Sequence, residues 1–303
     1  MIKTSIIILT KNAGNRFDNT LKMIFSQDVE NYEVIIIDSG SNDNTIEIAK
    51  RYPSRIYEIS PDEFHHSKTR NLGVELAKGI FIVFLTADAI PLNDNWLSNI
   101  LDNFNDKKVG AVYGRQIAFK WANPMEKFFY SYFYSDKKIV ATKDDIQNLL
   151  KFWMEFVSSN VNACYRKNIF NELKFREDLE VAEDKDIAIK ILKKDYSLVY
   201  EPKAMVFHSH DYSIKSAFWR RYKEGKMIAK IVEKSDLISY SVIKNVGINY
   251  FINETKSLVR NNPIWIPYAL VYEFSKYLGM ILGRFSSDRK KGVEKNCSTN
   301  CPQ

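Results

Sequence analysis

The sequence predicts an α/β protein, a mostly parallel sheet with flanking helices that continues into a helical C-terminal extension. Three observations lead there. Short apolar runs rich in isoleucine and valine alternate with stretches of helical periodicity through the N-terminal part of the chain. Polar side chains gather directly after each run, where a parallel sheet presents the carboxyl ends of its strands to a ligand. Beyond His210 the pattern turns wholly helical.

The first run, residues 5–9, reads as a buried strand, and its stretch from Ile6 to Leu9 is far too short for a signal-peptide core or a membrane span. Residues 17–27 follow as a helix, with Phe17, Leu21, Ile24 and Phe25 on one face. A second strand is expected over 33–38, and Ile46, Ile48 and Ala49 mark a second crossover helix over 45–52. Gly40 permits the tight turn between them, and Asp43 or Asn44 is placed to cap that helix. A third strand over 80–86 completes a βαβαβ unit, so that 10–12, 38–43 and Asp88 converge on one crevice. Residues 113–160 are aromatic-rich, with Phe128, Phe129, Tyr130, Tyr132, Phe133 and Tyr134 in one cluster, and read as an irregular insertion. After Ala182 a helix is expected to about Lys194, then a strand over 197–200 and the segment EPKAMVFHSH.

With 303 residues the chain is long enough for one large catalytic unit and an appendage, here divided as 1–212 and 213–303. Hydrophobic content of 45% against 27% charged residues excludes disorder. Three cysteines, Cys164, Cys297 and Cys301, do not make a disulfide framework, and a reducing cytoplasm fits. The net charge of +7 points to an anionic partner: nucleic acid, phospholipid head groups or a phosphorylated substrate. Lys215, Arg220, Arg221, Lys223, Lys226 and Lys230 are interleaved with Phe218, Trp219, Tyr222, Met227 and Ile228, which favours an amphipathic helix at a lipid interface. The apolar stretch 263–285 carries Glu273 and Lys276 in its middle and prolines at its front, so it reads as an interfacial or packed helix, not a span. Residues 286–303 are polar and read as a frayed tail.

Group transfer from a nucleotide in such a crevice needs a cradle for base and phosphate, a cation for the leaving phosphate, and a carboxylate to take a proton. The cradle candidates are Thr10, Lys11 and Asn12, then Asp38 and Ser39, and Arg70 in FHHSKTRNLG. A carboxylate at a strand end accepts the imide N–H of a pyrimidine base, and a guanidinium donates to phosphate oxygens. Asp38 is equally suited to cap a helix. Asp88 follows the apolar strand FIVFLT and is the metal-ligand candidate, though a lone aspartate there also suits a turn. Glu183, Asp184 and Asp186 open a helix, where the dipole stabilises carboxylates; one of the three should face the crevice, and Asp184 is chosen as the base. His208 and His210 are candidate metal ligands or phosphate donors.

The segments SIIILTKN, VIIIDSGSNDNT, FHHSKTRNLGVELAKG, FIVFLTADAIPLNDNWL, SSNVNACYRKNIF, AEDKDIAIKIL and VYEPKAMVFHSHDYSIKSAFWRRYKEG occur in this order over residues 2–225. In that order they resemble family-2 glycosyltransferases of GT-A fold, in particular the rhamnosyltransferase branch that builds bacterial surface polysaccharides. The resemblance implies a Rossmann-like nucleotide-diphospho-sugar transferase fold, a divalent cation (Mg²⁺ or Mn²⁺) and a single in-line displacement that inverts the anomeric carbon. It implies that Asp38 binds the nucleobase, that Asp88 binds metal and diphosphate, and that Asp184 is the base. His208 would contact metal or phosphate, and Thr10, Asn12, Arg70 and Asn71 would line the donor pocket. The insertion at 113–160 would form the acceptor side. The implied donor is dTDP-L-rhamnose and the implied acceptor a lipid-linked oligosaccharide, handled by a protein peripheral to the inner face of the cytoplasmic membrane. Where the family's metal motif is D-x-D, this chain has Thr86, Ala87 and Asp88, a single carboxylate; related rhamnosyltransferases often carry Gln at the position of Ala87.

Other classes fit less well. A nicotinamide oxidoreductase needs G-x-G-x-x-G after the first strand, and the turn here reads TKNAGNRF. A nucleotidyltransferase needs an early loop rich in glycine and lysine, which is absent. A nucleic-acid-binding module is motivated by charge and aromatics, but the crevice is acid-lined and the basic residues are mixed with apolar ones, so no nucleic-acid partner is expected. Within the transferases, a hexosyl or N-acetylhexosaminyl transfer from a UDP-sugar is the alternative donor chemistry.

Overall fold

The computed structural model describes residues 2–148, 152, 156–232 and 240–298. The chain forms two units. One gathers residues 1–122, 129–178 and 183–209, and the other 123–128, 179–182 and 210–303. Two short segments from the middle of the chain group with the C-terminal helices.

In the first unit β1 (Thr4–Thr10), α1 (Arg16–Phe25), β2 (Tyr32–Asp38), α2 (Thr45–Ala49), β3 (Arg55–Glu58), α3 (His66–Leu76) and β4 (Phe81–Leu85) follow one another. β3, β2, β1 and β4 lie side by side and parallel, with Thr10 level with Asp38 and Ile7 level with Phe84. Ile6, Ile7, Ile8, Val34, Ile35, Ile36 and Ile37 are all buried, on both faces of the sheet, as helices on either side require. Each such side chain contributes roughly 1.5–3 kcal/mol of transfer free energy, so this block is the rigid floor from which the loops after β1, β2 and β4 project.

The second half of the sheet comprises β5 (Ile90–Pro91), β6 (Val109–Ile117), β7 (Ile139–Ala141), β8 (Asn162–Arg166) and β9 (Ser197–Phe207). Strand order is β3-β2-β1-β4-β8-β6-β9-β5, with β7 also on β9. β8 runs antiparallel between β4 and β6, and β6 and β9 are parallel. Helices α4 (Trp96–Leu101), α5 (Pro124–Phe133), α6 (Lys167–Leu173) and α7 (Glu183–Lys193) complete the element order here. Trp96, fully buried, donates its indole N–H to Asn162 Oδ1 at 3.0 Å, while Asn162 Nδ2 donates to Ala204 O at 2.9 Å. A buried amide is thereby satisfied on both sides and ties α4 to the middle of the sheet.

Three expectations need correction. β9 does not end at Tyr200 but continues to Phe207: Gly114 pairs with Glu201 and Arg115 with Met205, so Pro202 sits in a bulge and the pairing with β6 resumes beyond it. The aromatic insertion is not irregular throughout, since it holds the end of β6, α5 and β7; residues 149–151 and 153–155 of it lie outside the described residues. The polar stretch after residue 285 remains helical to Ser298, where lysine, arginine and glutamate are good helix formers, and residues 299–303 lie outside the described residues.

The second unit is built on α8 (Ile214–Val232), α9 (Tyr240–Asn261) and α10 (Ile266–Ser298). α8 and α10 approach backbone to backbone. A Cβ on Gly283 would lie 2.0 Å from Tyr222 O, and one on Gly279 2.5 Å from Phe218 O, so only glycine fits at this crossing. Partly and fully buried polar groups accompany it: Arg221 pairs with Glu224 at 2.7 Å, Lys276 with Glu273 at 2.5 Å, and Tyr250 donates to Glu254 at 2.9 Å. On α10 the residues Ile264 (just before it), Tyr268, Val271, Phe274, Leu278, Leu282 and Phe285 recur every three or four positions and are exposed. Among the described residues no helix is long and apolar enough to cross a membrane.

Candidate active site

The loops after β1 and β2 are tied to each other. Asn12, at φ +49°, donates its backbone N–H to Ser41 Oγ at 2.7 Å and accepts Asn42 N–H at 2.9 Å. Gly14 N–H reaches Asp43 Oδ2 at 3.0 Å, and Ala13 N–H reaches Thr45 Oγ1 at 2.8 Å. Gly40, at φ +78°, leaves no room for a Cβ, which would sit 2.9 Å from Pro61 Cγ. Beneath these loops Asp38 is fully buried. Its Oδ2 accepts Thr10 Oγ1–H at 2.7 Å and Ser41 Oγ–H at 2.6 Å, and its Oδ1 accepts Ser41 N–H at 2.7 Å. Ser39 donates its hydroxyl to Thr10 O at 3.1 Å.

A cavity of about 210 Å³ opens at the carboxyl ends of β1, β2 and β4, and Thr10, Lys11, Ser39, Arg70, Thr86 and Asn160 contribute to its wall. His66 and Phe64 stand there too, their rings in an edge contact with centroids 5.0 Å apart. Of the residues expected in the donor pocket, Thr10, Lys11, Ser39 and Arg70 meet here. Asn12 is exposed on the adjoining loop. Asn71 is turned elsewhere: its amide donates to Phe175 O at 3.0 Å and accepts Phe175 N–H at 3.1 Å, so it pins the chain before α7 and does not line the cavity.

Arg70 is 8% exposed and carries the buried ion pair of the site, its Nη1 2.6 Å from Glu183 Oε1. Asn160, itself buried, donates Nδ2–H to the same oxygen at 3.0 Å and accepts Tyr165 O–H at 2.7 Å. Its backbone N–H points at Asp184 Oδ2, 3.4 Å away, and Lys185 N–H donates to Asp184 Oδ1 at 2.8 Å. The three acids at the start of α7 are thereby sorted. Glu183 answers Arg70, and Asp186 answers Arg176 at 3.2 Å and Lys190 at 2.7 Å. Burial pushes the Glu183 carboxyl up, but Arg70 and Asn160 outweigh it and hold the group below the usual carboxylate range. Asp184 is pushed up to about 6, first by loss of water and then by the negative charge of Glu183 beside it. Two adjacent carboxyls with separated proton affinities are the arrangement that divides labour between a fixed charge and a proton acceptor near neutral pH.

Asp88 follows β4 by three residues, and its side chain is 45% exposed. His208, the residue after β9, is buried; its Nε2 lies 3.7 Å from Asp88 Oδ1. Gln116 Oε1 and Tyr130 Oη stand 2.9 and 3.0 Å from His208 Nδ1. With the Gln116 carbonyl as acceptor the proton resides on Nδ1, and the Nε2 lone pair is presented on the Asp88 side. Two bonds of about 2.1 Å span up to roughly 4.2 Å, so one ion fits both atoms. Asn160 and Gln116 are not singled out by the sequence, and Tyr130 is visible there only as a member of the aromatic cluster. A glutamine inside the apolar strand 109–117 is the one signal, since a buried amide must have a partner.

Strands that deliver polar loops to one cavity, a carboxylate and an imidazole oriented as a pair, and a carboxyl poised near neutrality define the class: an α/β group-transfer enzyme of GT-A architecture. The family model "Glycosyl transferase family 2" matches residues 5–174, and the chain belongs to that family: it is a glycosyltransferase. It is 35% identical over 289 residues to the O-antigen chain rhamnosyltransferase RfbN of Salmonella typhimurium, covering 93% of this chain and 90% of that one. It is 36% identical over 286 residues to the O-antigen chain rhamnosyltransferase WbaN of Salmonella anatum, covering 92% and 89%. Among solved structures, the fold is shared with a mannosyltransferase from Pyrobaculum calidifontis in complex with GDP-Man and Mn²⁺ (TM-score 0.62, 15% identity, 94% of this chain and 86% of that one). It is also shared with Staphylococcus aureus TarS 1–349 in complex with UDP-GlcNAc (TM-score 0.55, 18% identity, 96% and 92%).

Proposed function

We propose that this glycosyltransferase moves L-rhamnose from dTDP-L-rhamnose onto a hydroxyl of a lipid-linked oligosaccharide during surface polysaccharide synthesis. The sugar and pathway are those in the names of the two Salmonella relatives. The observation that carries the chemistry is Asp184, a carboxyl raised to about 6 and hydrogen-bonded to the backbone of a cavity-wall residue. In the proposed step Asp184 accepts the acceptor O–H proton while the acceptor oxygen bonds to the anomeric carbon. The bond from that carbon to the diphosphate oxygen breaks, the nucleoside diphosphate leaves with its electron pair, and configuration inverts. Arg70 has five N–H donors and gives one to Glu183, and with Lys11 it supplies positive charge toward the diphosphate. A divalent cation, Mg²⁺ or Mn²⁺, held by Asp88 and His208 would neutralise the leaving group. Asp38 accepts three hydrogen bonds and is fully buried, so nucleobase contact there uses its remaining acceptor site once the loop above it has moved.

The exposed apolar stripe on α10, with the basic residues of α8, supports peripheral attachment at the inner membrane surface. Thermal unfolding with dTDP-rhamnose, UDP-sugars and GDP-mannose, each with and without Mn²⁺, tests the donor, because a ligand bound only by the folded state raises its stability. A Mn²⁺-dependent rise with dTDP-rhamnose, lost in Asp88→Ala, is expected; a rise with UDP-sugars alone replaces rhamnose with a hexosyl or N-acetylhexosaminyl group. Sedimentation with anionic vesicles that is unchanged in Val271→Glu/Phe274→Glu removes the stripe as the anchor.

A further inference from the structure

Past β6 the chain builds an aromatic stack that neither the donor cavity nor the Asp88–His208 pair uses. Phe119 is buried, and it stacks on Phe207 with centroids 5.8 Å apart and an interplanar angle of 18°. On its other side it stacks on Trp121 at 4.6 Å and 11°. Trp121 is nonetheless 62% exposed, so one indole face is covered by Phe119 and most of the ring remains in water. The Arg16 guanidinium lies 5.3 Å from the Trp121 centroid and 5.7 Å from that of Phe119. A group over the outer face of the indole would be several ångströms further from Phe119 than from Trp121; near-equal distances place Arg16 on the Phe119 side of the indole, over both rings. The outer face is therefore left open on a ring that packing and a cation–π contact hold flat.

Register ties this platform to the reaction site. Ile117 pairs with Phe207 on one side of β9 and Ile90 on the other, His208 N–H donates to Ile117 O at 2.9 Å, and Phe119 N–H reaches Ser209 Oγ at 3.3 Å. The turn from Phe119 to Ala122, closed by Ala122 N–H to Phe119 O at 3.0 Å, carries Trp121 on from that point. Arg16 opens α1, directly after the loop at the end of β1.

We propose that the open face of Trp121 is a binding platform for a pyranose ring of the saccharide acceptor, and that Phe119 and Arg16 position it. One face of a pyranose presents axial C–H bonds, which are apolar and slightly positive, and the negative π face of an indole matches them while the hydroxyls stay in water at the rim. A nucleobase would also stack on indole, but the donor cavity lies at the ends of β1, β2 and β4 and Trp121 is not part of its wall. The proposal rests on the glycosyltransferase reading only for the word acceptor; a sugar-stacking indole is testable without a donor.

Saturation-transfer NMR on the full chain, with methyl α-L-rhamnopyranoside, methyl β-D-galactopyranoside and methyl β-D-glucopyranoside as probes, reads the contact. At least one glycoside is expected to receive saturation on the C–H protons of a single ring face. The signal should fall roughly five- to twentyfold in Trp121→Ala and be largely kept in Trp121→Phe. The unfolding midpoint of Trp121→Ala should match wild type, because the ring is mostly exposed. No saturation with any glycoside, or an undiminished signal in Trp121→Ala, overturns the proposal. So does loss of vesicle sedimentation or of nucleotide-sugar binding in Trp121→Ala with the glycoside contact intact, since the indole would then serve lipid or donor. Glycoside contact in a protein that binds no nucleotide sugar would instead leave the platform standing and sink the donor assignment.

Discussion

Replacing Asp184 by asparagine separates catalysis from stability in opposite directions. The Asp184 carboxyl is raised from 3.8 to about 6, which at about 1.36 kcal/mol per pH unit is about 3 kcal/mol of penalty on its charged form. The sign follows from linkage. The folded protein holds this proton more tightly than the unfolded chain, so the stabilisation is complete below pH 3.8 and is lost as pH rises through about 6. At pH 7 the native protein bears the cost of the buried charge. A neutral asparagine side chain in its place would not, and the amide carbonyl can still accept the backbone N–H of Lys185. Asp184→Asn should therefore be more stable by up to about 3 kcal/mol at pH 7, several °C in Tm, and equal to wild type near pH 4. Activity should fall about 10²- to 10⁴-fold, the usual contribution of a general base. In the wild type, kcat/KM should be flat above pH 6 and drop tenfold per unit below it. Glu183→Gln should move that acid limb lower, because the Glu183 charge is the second cause of the shift. Nucleotide release followed from pH 4.5 to 8.5, with thermal unfolding over the same range, checks all of this. An Asp184→Asn enzyme with more than about a tenth of wild-type activity, or a profile with no limb near pH 6, refutes the reasoning.

Arg70→Ala strands Glu183 in a buried site and should cost about 3–5 kcal/mol by guanidinium denaturation, whereas Arg70→Met/Glu183→Met should recover most of it; a loss under about 1 kcal/mol in the single variant would show that water reaches the pair. Gln116→Leu removes one of the two groups at His208 Nδ1, so Mn²⁺ affinity measured by calorimetry should weaken about 10- to 100-fold with the fold intact; unchanged affinity would show that the Gln116 contact does not orient the ligand. In the helical unit Glu254 is raised to about 7, chiefly by burial and then by Glu273, so its stabilising proton is present below pH 4.5 and lost as pH rises through about 7. Glu254→Gln should make that unit melt higher at pH 8 and leave it unchanged near pH 4.5. Gly283→Val should lower the melting of the helical unit by driving a side chain into Tyr222 O, 2.0 Å from where the Cβ would stand; an unaltered midpoint would mean α8 and α10 do not meet there in solution.

Local physics wrote much of this protein into its sequence. The runs at β1, β2 and β4 are legible because a strand buried on both faces must be continuously apolar, and the polar residues after them because only strand ends reach solvent. Acids at the first turn of α7 were equally visible, since the helix dipole draws them there. Their division into roles was not. Glu183 is matched by Arg70 from 113 residues away, and Asp186 by Arg176 and Lys190, and only after both are spoken for does Asp184 stand out as the raised carboxyl. Asn71 looked like a pocket residue beside Arg70, yet adjacent positions on a helix point about 100° apart, and the fold turned its amide to Phe175. Pro202 hid the second half of β9, because a proline reads as a strand end unless a partner strand tolerates the bulge. The orientation of His208 depends on Gln116 and Tyr130, drawn from two other elements. Sequence pattern fixes which groups are delivered to the crevice, since that depends on neighbours along the chain. Which of them is paired, charged or poised depends on neighbours in space, and those exist only once the sheet has formed.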